Sequence, residues 1–292
     1  MEIIMKSLIV TLSALLAISS LQPLNTQAQG IAVAKGDKIA FLGDSITAAG
    51  KRPGGYCQLV LDGLKKEGIK TEAVFAGISG HKSNQMLARL EKDVLSKKPN
   101  WMTLSCGVND VWHGKGGVPL EDYKKNITKI VDQAQAAGIK VMLLTSTMIK
   151  EDQANALNQQ LMPYNAFIRE LAKTKKCLLA DLNTDMQEAL KKFPKDAPKG
   201  KQMTRDGVHM NTYGNYMMAS GILKTFGLSQ TKIDAFVEEW KKVPDSKTVT
   251  LRLKMSQYEY EKIQTKMNAP VETVLMKFLE DKKAEICVES VK

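Results

Sequence analysis

The chain has 292 residues, of which 43% are hydrophobic, 25% charged and 6% aromatic, with 20 glycines and 9 prolines. These ordinary globular values exclude collagen-like, low-complexity and disordered chains, and at roughly 150 residues per domain the length suits one large domain with an appendage. The formal net charge of +11, from 42 basic and 31 acidic residues, invites a polyanion partner. The lysines, however, come as scattered pairs such as Lys65-Lys66, Lys124-Lys125 and Lys241-Lys242 with acids nearby, the pattern of solvated helix faces. No nucleic-acid partner is expected.

At the amino terminus, Lys6, the apolar run Ser7–Leu21 and the small residues of Thr26-Gln27-Ala28 read as an export signal over residues 1–28, cut after Ala28. The run holds roughly 15 residues against the roughly 20 that span a bilayer. Export to the periplasm or the exterior is therefore expected, with no stable membrane insertion after cleavage; a retained, uncleaved leader is the alternative. Export places Cys57, Cys106, Cys177 and Cys287 where disulfides persist, and four cysteines allow three connectivities. Cys106 and Cys177 lie in or beside apolar runs, where a free thiol packs as a small hydrophobe, so no obligatory disulfide is expected. No Cys-x-x-Cys or Cys/His cluster offers zinc ligands, so no metal is expected.

Short apolar runs recur at Ile39–Leu42, Ala73–Phe75, Trp101–Leu104, Val141–Leu144 and Leu178–Leu182. They are too compact for helices and do not alternate, which predicts a parallel sheet buried on both faces. Segments of helical period separate them: Met86, Leu87, Leu90 and Val94 in one, and Tyr123, Ile127, Ile130, Val131 and Ala134 in another, closed by Gly138. Pro163 interrupts the segment Gln153–Lys173, predicting two helices or a kinked one, with Pro163 at a first helical position. A closing amphipathic helix, Ser229–Lys241, carries Ile233, Phe236, Val237 and Trp240 on one side. Five strands alternating with helices predict a doubly wound α/β sandwich, the main domain covering residues 29–245.

Residues 246–292 form the expected appendage. Val249, Leu251, Leu253 and Met255 alternate with polar residues as in a one-faced strand; Ser256 with Glu259 forms a capping box, and a second helix is expected from Pro270. The strand-helix-helix order resembles the ribbon-helix-helix fold in pattern over about 40 residues. In an exported chain the expected role is packing on the main domain or formation of a homodimer.

The chemistry gathers at strand ends. The first strand runs into Gly43-Asp44-Ser45, placing a serine at the carboxyl end of a buried strand, where open α/β sheets form their crevice. A serine needs a histidine to take its proton, and the histidine needs an acid to orient it. Asp206-Gly207-Val208-His209 places acid and base three apart, before the last helices. Asp110 with His113 has the same spacing and is a second candidate pair. Gly80 after the second strand and Asn109 after the third are candidate donors to an oxyanion.

Gly-Asp-Ser, a glycine turn, Gly-x-Asn-Asp and Asp-x-x-His, in this order and this setting, resemble the GDSL/SGNH hydrolase family over roughly residues 38 to 241. The resemblance implies a flavodoxin-like three-layer α/β/α sandwich with a five-stranded parallel sheet in the order 2-1-3-4-5, and ester hydrolysis without metal or organic cofactor. Carried over by residue, it implies Ser45 as nucleophile, His209 as general base and acid, and Asp206 as orienting carboxylate. The oxyanion hole would be the Ser45 and Gly80 amides and the Asn109 side chain. The sequence departs from the family at His81-Lys82-Ser83, where relatives often carry Asp-Thr-Ser or similar; His81 is thus a candidate substrate contact or a solvated loop histidine. Arg52, Lys82, Trp112, Lys115 and Lys150 are further loop candidates.

The expected activity is a serine esterase, acting on carbohydrate O-acetyl groups or other short-chain esters. The rivals are a lysophospholipase or thioesterase of the same fold, and a non-catalytic carbohydrate- or surface-binding protein. The expected partner is a small-molecule or polysaccharide ester.

Overall fold

The computed structural model describes residues 30–194, 200–242, 256–258 and 261–262. The predicted leader, Cys287 and almost all of the predicted strand-helix-helix lie outside the described residues; of that tail, residues 257, 258, 261 and 262 are helical. The chain divides into two compact units, residues 1–244 and 245–292.

Five parallel strands form one sheet in the order β2-β1-β3-β4-β5: β1 Lys38–Gly43, β2 Glu72–Gly77, β3 Trp101–Ser105, β4 Lys140–Leu144 and β5 Leu178–Ala180. This is the strand order that the family resemblance implies. The apolar runs form strands because each has a sheet neighbour and a helical layer to bury against. Burial on both faces holds for β1, β3 and β4 but not for the edge strand β2, where Phe75 is 40% exposed. β5 stops at Ala180, two residues before its apolar run ends, because Asp181 caps the helix Leu182–Leu190 through the amide of Thr184 and pairs with both nitrogens of the Arg169 fork at 2.8 Å.

The helix Leu120–Ala136 buries Tyr123, Ile127, Ile130, Val131 and Ala134, and Gly138, at φ +77°, turns the chain into β4. The period from Met86 to Val94 does not make one helix. It breaks at Arg89 into Ser83–Ala88 and Leu90–Asp93, and the Arg89 guanidinium spans the break, donating to the carbonyls of Gly43 and Ala76 and to Asp93. Pro163 corrects another expectation. It sits inside a single helix, Ala156–Thr174, not at a first turn. The stripe Leu161, Tyr164, Ile168 and Leu171 is buried along that helix, and burial of roughly 1.5–3 kcal/mol per large apolar side chain outweighs the roughly 3 kcal/mol that an interior proline costs. The helix Gln230–Lys242 closes the domain, burying Ile233, Phe236 and Trp240, with the Trp240 indole donating to Asp62 at 2.7 Å.

The sheet order reverses between β1 and β3, so the segments leaving their carboxyl ends run to opposite layers and open a crevice between them. Ser45 leaves β1 and Asn109 follows β3 at this point. Cys57 and Cys106 are buried and Cys177 half-buried, all three as free thiols.

Candidate active site

Ser45 opens the helix Ser45–Gly50, immediately after β1. Asp44 caps this helix, its Oδ1 accepting from the amide of Ile46 at 2.9 Å. Gly43 is required by close approach: a Cβ there would stand 2.0 Å from Thr47 Oγ1. A larger residue would push the serine-bearing turn off the strand end.

His209 comes from the loop before the helix Thr212–Thr225. Ser45 Oγ lies 2.8 Å from His209 Nε2, and His209 Nδ1 lies 2.6 Å from Asp206 Oδ2. The other oxygen of Asp206 accepts from the amides of Val208 at 3.0 Å and His209 at 2.8 Å. Partial burial tends to raise the Asp206 pKa, but these amides and the imidazole outweigh it and hold the carboxyl at about 2. Asp206 is therefore an acceptor only, which puts the imidazole proton on Nδ1 and leaves the Nε2 lone pair for the hydroxyl proton of Ser45.

Gly80 follows β2 with φ +75° and open space where a Cβ would stand. Asn109 lies in the short helix Val108–Trp112, and its Nδ2 donates to Asp44 Oδ2 at 3.3 Å and to the His81 carbonyl at 3.2 Å. Both contacts are long, so an oxyanion arriving in the crevice would displace one of two weak acceptors. Burial raises the Asp44 pKa to about 6, against the lowering effects of the Ile46 amide and His209.

The second candidate pair does not form. Asp110 turns away from His113, which is exposed, and is buried against Ser83, accepting from its amide at 3.0 Å and its hydroxyl at 2.6 Å, and from the Cys106 thiol at 3.4 Å. The contact ties the turn carrying Gly80 to the one carrying Asn109. Burial pushes the Asp110 carboxyl up against the hydrogen bonds from Ser83.

His81 is not a free solvated histidine. It is half-buried, and Arg89 Nε donates to its Nδ1 at 3.1 Å; burial first, and the Arg89 charge second, lower its pKa. Lys82 Nζ donates to the Gly116 carbonyl at 2.5 Å, and Lys150 donates its amide to the Gly207 carbonyl at 2.6 Å. Arg52, Trp112 and Lys115 are exposed. Sequence reasoning missed Ser83, Asp110 and Arg89 as supporting groups, and the contact of Asp44 with Asn109, since each of these acts through a partner distant in the chain.

Residues 41–216 match the GDSL-like lipase/acylhydrolase family, well over half of the chain. The chain belongs to the GDSL-like lipase/acylhydrolase family. This GDSL esterase is 26% identical over 216 residues to an acetylxylan esterase of Geobacillus stearothermophilus, covering 67% of this chain and 96% of that enzyme. It is 23% identical over 222 residues to the isoamyl acetate-hydrolyzing esterase 1 homolog of Rattus norvegicus, covering 72% and 89%. Among solved structures it matches the acetyl xylan esterase AlAXEase with a TM-score of 0.60 and 38% identity, covering 64% of this chain and 98% of that one. The chain is accordingly a carboxylic ester hydrolase of the GDSL type.

Proposed function

We propose that this esterase removes acetyl or other short acyl groups from carbohydrate through an acyl-enzyme on Ser45. The observation that carries the mechanism is the hydrogen-bonded line from Ser45 Oγ through His209 to Asp206, at 2.8 and 2.6 Å. Ser45 Oγ attacks the ester carbonyl as its proton passes to Nε2, and Asp206 stabilises the imidazolium. The negative charge on the former carbonyl oxygen is received by the amides of Ser45 and Gly80 and the side chain of Asn109. Collapse expels the alcohol, which takes the proton from Nε2. Water, deprotonated in turn by His209, then releases the acid and restores Ser45.

Two relatives named for acetate esters, one of xylan and one of isoamyl alcohol, favour a small acyl group, and the xylan esterases favour carbohydrate as the alcohol. Export of the enzyme to such a substrate is supported by Lys6 and the apolar run Ser7–Leu21. Among the described residues no helix is long and apolar enough to cross a membrane.

Intact-mass labelling with a serine-directed fluorophosphonate tests the nucleophile without a known substrate. One adduct on wild type, absent from Ser45→Ala, supports it; no adduct on folded wild type overturns it. Hydrolysis rates from acetyl to dodecanoyl esters, and acetate release from acetylated xylan, test the substrate. A preference for long chains would replace it with the lysophospholipase or thioesterase reading.

A further inference from the structure

We propose that Glu151 is a positioning residue for this reaction, its carboxylate setting the loop that brings Asp206 and His209 to Ser45. The proposal rests on the assignment of those three residues above. Glu151 lies between β4 and the helix Ala156–Thr174, some fifty positions before the loop in the chain. Its Oε1 accepts from the amides of Met203 at 2.8 Å and Thr204 at 2.6 Å and from Thr204 Oγ1 at 2.6 Å, while Oε2 accepts from the amide of Gln202 at 2.8 Å. Four donors thus converge on one carboxylate, and a charged acceptor makes the stronger hydrogen bonds.

The contact reaches the reacting groups through a short relay. Thr204 is fully buried, and with its hydroxyl proton directed to Glu151 its Oγ1 accepts from the amide of Gly207 at 3.1 Å. The carbonyl of Gly207 accepts from the amide of Lys150 at 2.6 Å. Residues 150 and 151 therefore hold Gly207, the residue between Asp206 and Val208, from both sides. Beyond it the loop is narrow: the amide of Arg205 donates to the His209 carbonyl at 2.8 Å, and that of Asn211 to the Met203 carbonyl at 3.0 Å. Fixing the foot of this hairpin fixes the imidazole.

Lys150 and Glu151 are consecutive non-glycine residues at φ +57° and +52°, a conformation that L side chains keep only where their surroundings enforce it. The hydrogen bonds to residues 202–207 supply that enforcement.

The test measures kcat and KM on an activated aryl acetate, with proton spectra of the Nδ1–H shared by His209 and Asp206, for wild type, Ser45→Ala, Glu151→Ala, Glu151→Gln and Thr204→Val. Glu151→Ala should lower kcat about 100-fold, the cost of an ångström-scale misplacement, with KM changed less than about threefold. It should also shift or broaden the Nδ1–H signal. Glu151→Gln should recover most of the rate and the signal, since a single oxygen already takes three of the four donors. Glu151→Ala that folds, by near-ultraviolet circular dichroism, and keeps both kcat and the signal overturns the proposal while Ser45→Ala remains inactive. Activity retained in Ser45→Ala instead overturns the underlying assignment. Should Glu151→Ala fail to fold, Thr204→Val decides, because it breaks the relay to Gly207 at nearly constant volume. A kcat about tenfold lower at unchanged KM supports the proposal, and an unchanged kcat overturns it.

Discussion

Asp206 meets the imidazole of His209 with one oxygen and the two amides that follow it with the other, so its ionisation and its position have the same cause. With its pKa held at about 2, Asp206 stays charged throughout the neutral range, and replacing it exposes the role of the tautomer. Asp206→Asn should fold and bind ester but lose about 10⁴-fold in kcat, and Ser45→Ala about 10⁶-fold, both read from steady-state rates. Asp44 behaves in the opposite sense. Burial raises its pKa from 3.8 unfolded to about 6 folded, so between these pH values the folded protein binds the extra proton. Its contribution to stability falls as pH rises through that window, by up to roughly 3 kcal/mol, and is level above it. Asp44→Asn should abolish this decline in urea melts from pH 4 to pH 7. It should also lower kcat about tenfold, because an amide cannot accept from both the Ile46 amide and Asn109 Nδ2, as the two oxygens of Asp44 do.

At the scale of elements, close approach of backbone decides where the crevice opens. Gly43 ends β1 with Thr47 Oγ1 where its own Cβ would be. Gly43→Ala should cost roughly 1–3 kcal/mol in denaturant melts through overpacking and lower kcat by displacing Ser45. The helix Ala156–Thr174 offers the converse case, since Pro163 is exposed inside it and denies the Gln159 carbonyl its helical donor. Pro163→Ala should raise stability by about 1–3 kcal/mol and leave ester hydrolysis unchanged; a loss of stability would mean that the ring itself packs. The extent of the segment was legible in the sequence, but whether Pro163 divides it was not, because a proline reads as a boundary while the buried stripe on either side of it is a property of the packed core.

At the scale of the whole fold, five parallel strands bury the main core, and among the described residues no covalent staple supports it. Cys57 and Cys106 are enclosed and Cys177 is half-buried, all free. Burial pushes the Cys106 thiol up, which further suppresses the reactive thiolate. Thermal melts with and without a reducing agent should therefore agree within about 1 °C; a clear drop on reduction would show a stabilising disulfide. The doubly wound architecture was visible in the spacing of apolar runs and helical periods, since a strand buried on both faces must be apolar throughout. The edge strand escaped that rule, and Phe75 is exposed on it, because which strand lies outermost depends on the order of the sheet.

The sequence by itself determined the class of the fold and singled out the candidate reacting groups. Local patterns specify strands and helices, and Gly43-Asp44-Ser45 and Asp206-Gly207-Val208-His209 are short motifs whose chemistry is contained in their residue types. Only the tertiary structure decided which supports those groups have. It set Asp206 against His209 and turned Asp110 toward Ser83, bound His81 to Arg89, and brought Glu151 to a loop some fifty residues further along the chain. The physical reason is that a buried or half-buried carboxylate or guanidinium must find partners, and those partners are supplied by whatever segments the sheet order places beside it.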